Sequence, residues 1–236
     1  MAKAPVTKLK KKEIIWLSKN LCKAHSMDYL SHYNCFLKEV VKNPDYEHIR
    51  GTDIPMLNRV GYFDIENFGF KADFGLLLSY AILDDETEKI LGRTITKKEI
   101  NTCLDYKLVK DCVKDLSSFD KIITYYGSRH DFPFIRSKAV FHKIPFPRFG
   151  EIIHNDMYYT VKYKFRLSRN SQQTAYNILV GESHKTHWGR DSWLKSLYGD
   201  KASLQYIWEH NQIDVRELRE LHHAIDQFTM RSDRSA

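Results

Sequence analysis

The sequence lacks any long hydrophobic run. Its longest apolar stretch, residues 74–83, covers only about ten residues and leads directly into Asp84 and Asp85, which is too short to span a bilayer. The amino terminus is basic but lacks the apolar region of a secretory signal, so we expect the chain to stay in the cytoplasm. Both absences argue against a membrane partner and against a secreted protein.

Cysteine is scarce, and the chain contains neither internal repeats nor low-complexity segments. Four cysteines among 236 residues argue against a disulfide scaffold in the cytoplasm and leave metal binding or simple burial open. Charged residues make up 28% and apolar residues 42% of the chain, which excludes a disordered or fibrous protein. The excess of 37 Lys and Arg over 30 Asp and Glu gives a net charge of +7, which fits a polyanionic partner without identifying one.

Composition and hydrophobic pattern divide the chain into three parts. Residues 1–56 combine a lysine-rich arm, a helical segment that carries Cys and His, and a linker with several turn formers. Residues 57–228 form the main domain, and residues 229–236 form a polar tail. We therefore predict one folded domain that follows a small N-terminal segment.

The main domain shows strand patterns first and helix patterns later. The predicted strands are 59–66, 74–83, 89–93, 121–126 and 148–153. The predicted helices are 97–116, 131–142, 156–165, 171–180, 191–197 and 204–228. This order predicts an α/β fold with a mixed five-stranded sheet, in which the first three strands form an antiparallel meander and helices flank the sheet.

Acidic residues follow the predicted strands where a shared ligand could bind. Asp64 and Glu66 lie two residues apart on the first strand, so their side chains leave the same face of the sheet. Asp131 follows the fourth strand, and Asp214 lies on the last helix one turn after His210. Ligands of an open α/β sheet bind at the carboxyl ends of its strands. A cation between such carboxylates would offset their repulsion.

Each of these acids also has an ordinary interpretation when it is viewed alone. Asp64 and Glu66 could be solvated residues at the end of a strand, and Asp131 could be a helix N-cap. Asp214 and His210 could form a surface pair one helical turn apart. The order of the acids along the chain carries more information than any one of them.

Three segments resemble, in order, the exonuclease motifs of the DEDD superfamily of 3′–5′ exonucleases: YFDIENFGFKADFG, TYYGSRHDFPFIRSKA and YIWEHNQIDVRELREL. The resemblance spans about residues 58–225 and is closest to a branch of predicted RNase H-like nucleases of bacteria, archaea and phages. In that branch a leucine-rich segment similar to RLSRNSQQTAYNILVG precedes the last motif. The resemblance implies an RNase H-like fold, a prokaryotic or phage-infected cell, and 3′–5′ exonuclease activity on DNA or RNA.

The resemblance also implies a metal site. The family's metal-binding acids fall on Asp64, Glu66, Asp131 and Asp214, which would hold two Mg²⁺ or Mn²⁺ ions at the scissile phosphate. The superfamily's water-orienting residue is a tyrosine four positions before the last aspartate or a histidine five before it. Here His210 stands at the tyrosine's spacing. We interpret His210 either as the residue that orients or deprotonates the water or as a histidine of the helix surface.

The N-terminal segment carries two Cys/His pairs with spacings typical of zinc ligands. Cys22 and His25 form one pair, and His32 and Cys35 form the other, so the segment could supply the four ligands of a structural Zn²⁺. Two buried cysteines with two exposed histidines explain the pattern equally well. The related branch has a similar Cys/His segment ahead of its first motif, which favours zinc.

A basic and aromatic segment could contact nucleic acid. The stretch YYTVKYKFRLSR (158–169) mixes side chains that can stack bases with side chains that neutralise phosphates. An amphipathic helix with its aromatic residues in the core explains part of the same pattern. Arg129 and Arg136 flank Asp131, and Phe134 could wedge against a terminal base or be buried. The predicted nucleic-acid-binding residues are Arg129, Phe134, Arg136, Lys162, Lys164 and Arg166.

Three other functions stay open at the level of the sequence. An RNase H-like, structure-specific endonuclease could use the same acids. A non-catalytic, zinc-containing nucleic-acid-binding module would use the basic surface alone, and a different kind of metalloenzyme is the third alternative. Binding alone does not require clustered carboxylates that face a polyanion, so the sequence favours a metal-dependent nuclease with a single-stranded or 3′-ended DNA or RNA substrate.

Overall fold

The computed structural model describes residues 59–148, 151–185 and 190–228, with only the backbone at 190–192. The predicted zinc ligands and the predicted tail lie outside these residues. The strands are β1 (Val60–Phe68), β2 (Leu76–Asp84), β3 (Ile90–Thr94), β4 (Lys121–Thr124) and β5 (Ile153–Asp156). The helices are α1 (Lys97–Thr102), α2 (Tyr106–Leu116), α3 (Asp131–Phe141), α4 (Met157–Lys164), α5 (Gln172–Leu179), α6 (Arg190–Ser196) and α7 (Lys201–Ile225), with a 3₁₀ turn at Asp226–Phe228.

The five strands form one mixed sheet in the order β3-β2-β1-β4-β5. β2 is antiparallel to both β1 and β3, whereas β4 is parallel to both β1 and β5. The predicted fold class, with its opening antiparallel meander, is therefore confirmed. The carboxyl ends of β1, β4 and β5 meet at one edge of the sheet, hereafter the carboxyl edge.

Alternating side chains of β1 belong to two hydrophobic layers. Phe63 and Ile65 pack on one face with the buried side chains of α2 and α3. Tyr62 packs on the other face with buried side chains of α4, α5 and α7. A strand that is buried on both faces needs apolar residues at consecutive positions, which explains its sequence VGYF. No helix in the described part of the chain is both long and apolar enough to cross a membrane.

The predicted helix 97–116 is wrong in its continuity, because two helices, α1 and α2, occupy this range. The break lies at Leu104, which has a positive φ of 52°. The next residue, Asp105, turns its buried carboxylate toward the core, where it accepts a hydrogen bond from the Leu77 amide at 3.0 Å and pairs with Lys138 at 2.9 Å. These buried polar contacts fix the backbone at the break more strongly than helix continuity would.

The predicted fifth strand, 148–153, is correct in its existence but wrong in its position. β5 begins at Ile153, where the backbone pairs with Lys121 of β4, and the Ile153 amide donates to the Asp120 carbonyl at 2.9 Å. Pairing with β4 therefore sets the bounds of this strand. The shift places Asp156 at the carboxyl edge.

Candidate active site

Asp64 and Glu66 lie on one face of β1, Asp64 at the middle of the strand and Glu66 two residues closer to its carboxyl end. Across from them on β2 are Ala81 and Ser79. Asn211 of α7 donates a hydrogen bond from Nδ2 to Oδ2 of Asp64 at 2.7 Å. The Oδ1 atom of Asn211 accepts a hydrogen bond from the Ser79 hydroxyl at 3.2 Å. Because Ser79 engages the amide oxygen, the amide nitrogen is directed at the Asp64 carboxylate.

Asp131 reaches the same place from the segment that follows β4. It is the first residue of α3, is only 3% exposed, and accepts a hydrogen bond from the Ile65 amide at 3.2 Å. Ile65 lies between Asp64 and Glu66, so the third acid is held directly against the backbone that carries the first two. Burial and, to a smaller extent, the nearby carboxylates Asp156 and Asp214 raise the pKa of Asp131 to about 7, against the opposing effect of backbone hydrogen bonds.

Asp214 and His210 reach the site from α7. The Nε2 atom of His210 lies 3.6 Å from Oε1 of Glu66 and 3.8 Å from Oδ2 of Asp214. Glu66, His210 and Asp214 offer ligand atoms that all lie within 4.8 Å of one another. The backbone carbonyl of Asp214 accepts a hydrogen bond from Gln172 of α5 at 2.8 Å. The structure thus brings all four predicted acids and His210 together at the carboxyl edge.

The cluster carries more negative charge than its surroundings compensate. Burial, together with the other carboxylates, raises the pKa of Asp64 and the pKa of Glu66 well above their ordinary values. Lys185 acts in the opposite direction on both groups. Its Nζ atom lies 2.8 Å from Oδ1 of Asp214. Buried carboxylate oxygens that repel one another are typical of a site that binds a divalent cation.

Comparison with known proteins identifies the family. A model of the RNase H superfamily matches residues 61–225. The chain belongs to the RNase H superfamily. Among solved structures, a family B DNA polymerase from the hyperthermophilic archaeon Pyrobaculum calidifontis has a similar fold, with a TM-score of 0.57 and 15% identity. The similarity covers 71% of this chain but 24% of the polymerase chain, and no significant match was found among curated proteins.

Two residues of this RNase H-like site were missed by reasoning from the sequence. Asn211 lies three residues before Asp214, so the helical period alone could have placed both on one face of α7. Lys185 lies in the loop after α5, where no periodic pattern predicts the direction of a side chain. Only the fold brings Lys185 to the carboxylates.

The predicted nucleic-acid-binding residues occupy different environments. Arg129, Lys162, Lys164 and Arg166 are exposed. Arg136 is exposed on α3, where its guanidinium lies 5.4 Å from the centre of the Phe132 ring. The remaining residue, Phe134, needs a correction. It is only 3% exposed and belongs to the core, so it does not offer a ring face to a terminal base.

A polar contact joins two segments of the carboxyl edge. The Asp156 carboxylate accepts hydrogen bonds from the Tyr126 amide at 2.7 Å and from the Ser128 amide at 3.0 Å. It also caps α4 by accepting from the Tyr158 amide at 3.1 Å. One side chain therefore fixes the turn that leads to Asp131 and the start of α4 at the same time.

Proposed function

We propose that this protein is a metal-dependent nuclease of the DEDD type, which removes nucleotides from the 3′ ends of DNA or RNA by a two-metal-ion mechanism. The observation that carries the proposal is the convergence of Asp64, Glu66, Asp131 and Asp214 at the carboxyl edge. The RNase H-like fold and the order of the three motifs support it. Clustered carboxylates would weaken the binding of a polyanion unless cations bridged them.

The donor set fits Mg²⁺ or Mn²⁺. Both ions prefer carboxylate oxygens. Burial, together with the other carboxylates, raises the pKa of Asp64 and the pKa of Glu66, so a bound cation would offset the cost of ionising them. We infer that the four acids would hold the ions. Bound divalent cations would lower the pKa of an attacking water and neutralise the charge that develops on the phosphate and on the leaving oxygen.

The protein's own residues would orient the reacting groups. The Ser79–Asn211 pair fixes the Asp64 carboxylate in one orientation, which limits its movement as substrate binds. The His210 imidazole lies between Glu66 and Asp214. There its ring nitrogen can orient the attacking water through a hydrogen bond and accept its proton.

A nuclease assay with end-labelled oligonucleotides tests the proposal. A 5′-labelled single strand with a free 3′ hydroxyl should be shortened one nucleotide at a time, whereas the same strand with a blocked 3′ end should stay intact. Internal cuts in the blocked strand or in a circular substrate would instead establish an endonuclease. Binding without cleavage at any divalent-cation concentration would establish a binding module.

A matched pair of variants assigns the activity to the site. Asp64→Asn should abolish cleavage, since it removes a charged ligand from the centre of the cluster. Glu86→Gln removes a carboxylate from an exposed position in the turn between β2 and β3, at the opposite end of β1, and should cleave like the wild type. Equal activity of wild type and Asp64→Asn would exclude this active site.

A further inference from the structure

Four tyrosines form a continuous row of rings on the surface at the carboxyl edge. We call Tyr126, Tyr158, Tyr159 and Tyr163 the tyrosine row. The centroids of successive rings are 4.7 Å apart for Tyr126 and Tyr158, 5.1 Å for Tyr158 and Tyr159, and 6.1 Å for Tyr159 and Tyr163. The ends of the row are open to solvent, with Tyr126 45% and Tyr163 71% exposed.

The core does not require these rings. The side chains by which α4 joins the hydrophobic core are Met157 and Val161, both fully buried. Tyr158, Tyr159 and Tyr163 belong to the more accessible side of the same helix. Large aromatic side chains left in contact with water lose the free energy that burial would contribute. A ligand that covers the rings would recover this free energy.

The row lies beside the candidate active site. Tyr62 of β1, Ile123 of β4 and Asn155 of β5 are neighbours across the three parallel strands, so the residues just beyond β4 and β5 are level with Asp64. The Asp156 carboxylate ties the turn that contains Tyr126 to the start of α4. The tyrosine row therefore begins at the segment that leads to Asp131 and extends along α4.

Cations accompany the rings. The Arg129 Nε atom donates a hydrogen bond to the Tyr159 hydroxyl at 3.1 Å. The ammonium of Lys162 lies 5.7 Å from the Tyr158 ring centre and 5.6 Å from the Tyr163 ring centre. Aromatic rings that stack on bases, next to cations that neutralise phosphates, are the pattern by which proteins bind single-stranded nucleic acid without sequence preference.

We propose that the tyrosine row binds the single-stranded part of the substrate by base stacking and guides the strand toward the carboxylates. This inference rests on the proposed nuclease function and names its substrate class. The bases of a duplex stack on one another and are paired, so their faces are not free to cover the rings. A single strand presents both faces of every base, and its phosphates match the charge of Arg129 and Lys162.

The binding of two strands that differ only in their bases, measured with a cleavage-deficient variant, tests the inference. In the Asp64→Asn background, fluorescence anisotropy compares a labelled 12-nucleotide oligothymidine with an abasic strand of the same length, which keeps the phosphates but has no bases. We expect the abasic strand to bind about tenfold more weakly, and a blunt duplex also more weakly than the single strand. Oligouridine of the same length tests whether RNA is bound in the same way.

The double variant Tyr159→Ala/Tyr163→Ala should bind oligothymidine about tenfold more weakly and bind the abasic strand unchanged. The control Tyr198→Ala removes a ring from the turn before α7 that is 78% exposed, compared with 71% for Tyr163. It should change neither the affinity for oligothymidine nor the affinity for the abasic strand. Equal binding of the abasic strand and oligothymidine by the parent, or an equal loss for both strands in the double variant, would overturn base stacking. Should the double variant fail to fold, Tyr163→Ala alone carries the same comparison.

The inference and the proposed function can fail separately. Tyrosine-dependent binding of single strands by a wild-type protein that cleaves nothing would support the tyrosine row and contradict the nuclease. Cleavage of single strands with unchanged kcat/KM in the double variant would support the nuclease and contradict the row.

Discussion

The buried carboxyl group of Asp131 allows the free-energy cost of assembling the site to be measured, through the pH dependence of stability. Its carboxyl group is almost fully buried, and its pKa in the folded protein is raised to about 7. In the unfolded chain an aspartate has a pKa of about 4. Between these values the folded protein binds more protons than the unfolded chain, so the free energy of unfolding falls as the pH rises through this window.

We therefore predict that chelator-treated protein loses stability between about pH 4 and pH 7, and that Asp131→Asn loses less. The asparagine carries no charge and can still accept the hydrogen bond from the Ile65 amide. Urea unfolding at several pH values measures the difference. A wild type and an Asp131→Asn variant with parallel pH dependence would show that this carboxyl group does not titrate in the folded protein as proposed.

The geometry bears on whether His210 acts on the attacking water or is a histidine of the helix surface. Its Nε2 atom faces Glu66 and Asp214 at 3.6 and 3.8 Å, which supports a role in catalysis. We predict that His210→Ala lowers kcat on the order of a hundredfold and changes the affinity of the Asp64→Asn protein for single strands less than twofold. Single-turnover cleavage and anisotropy measure the two quantities. An unchanged kcat in the variant would contradict a catalytic role for His210.

At the scale of elements, β1 depends on a close approach at Gly61. A Cβ atom at this position would lie 2.7 Å from Cγ2 of Ile82 and 2.8 Å from the Phe119 ring. Such overlap forces neighbouring side chains or strands apart, at a cost of about 1–3 kcal/mol. Because β1 also carries Asp64 and Glu66, a displaced strand should impair cleavage as well as stability.

We predict that Gly61→Ala lowers the free energy of unfolding by about 1–3 kcal/mol, as measured by urea titration. Gly181→Ala is the matched control, since nothing lies within 4 Å of the Cβ atom it adds. The control should be neutral or slightly stabilising. If both variants unfolded alike, the packing around β1 would be looser than the structure indicates.

Elements with a strong local pattern were predictable, and elements fixed by distant contacts were not. The strand pattern of residues 59–66 and the pattern of the last helix follow from local periodicity, and both elements exist. Apolar residues recur every four positions through 100–116, yet Leu104 within that pattern is 53% exposed. The break there depends on the contacts of Asp105 with β2 and α3, which no local window contains.

The candidate site was predictable to a similar degree. The position of Asp64, Glu66 and Asp131 at one edge follows from the rule that parallel strands present their carboxyl ends together. Their combination with Asp214 depended on the resemblance of the three motifs. Asn211 and Lys185 act through contacts across the fold, and no pattern in the sequence marks Lys185.

At the scale of the whole molecule, the buried carboxylates at the carboxyl edge repel one another, and the proposed cations would offset this repulsion. Ligands that bind only the folded state raise its stability by about 3 kcal/mol at a hundredfold excess over their dissociation constant. For a domain of this size that corresponds to roughly 5–10 °C in Tm. We predict such a rise with Mg²⁺ or Mn²⁺ for the wild type and a much smaller one for Asp64→Asn.

Differential scanning calorimetry of chelator-treated protein, with and without added metal, measures this rise. The Glu86→Gln variant should respond like the wild type, because its carboxylate lies at the other end of the sheet. An equal rise for all three proteins would point to metal binding elsewhere on the chain. No rise for the wild type would contradict the proposed metal site.

The Asp156 carboxylate has a consequence for how mutagenesis of this protein would be interpreted. It holds the turn before Asp131 and the first residues of α4, although it belongs to neither the four acids nor the tyrosine row. Its replacement would disturb both surfaces at once. In a screen that scores only loss of function, position 156 would be indistinguishable from a metal ligand, and a structural carboxylate could be counted as a fifth acid of the metal site.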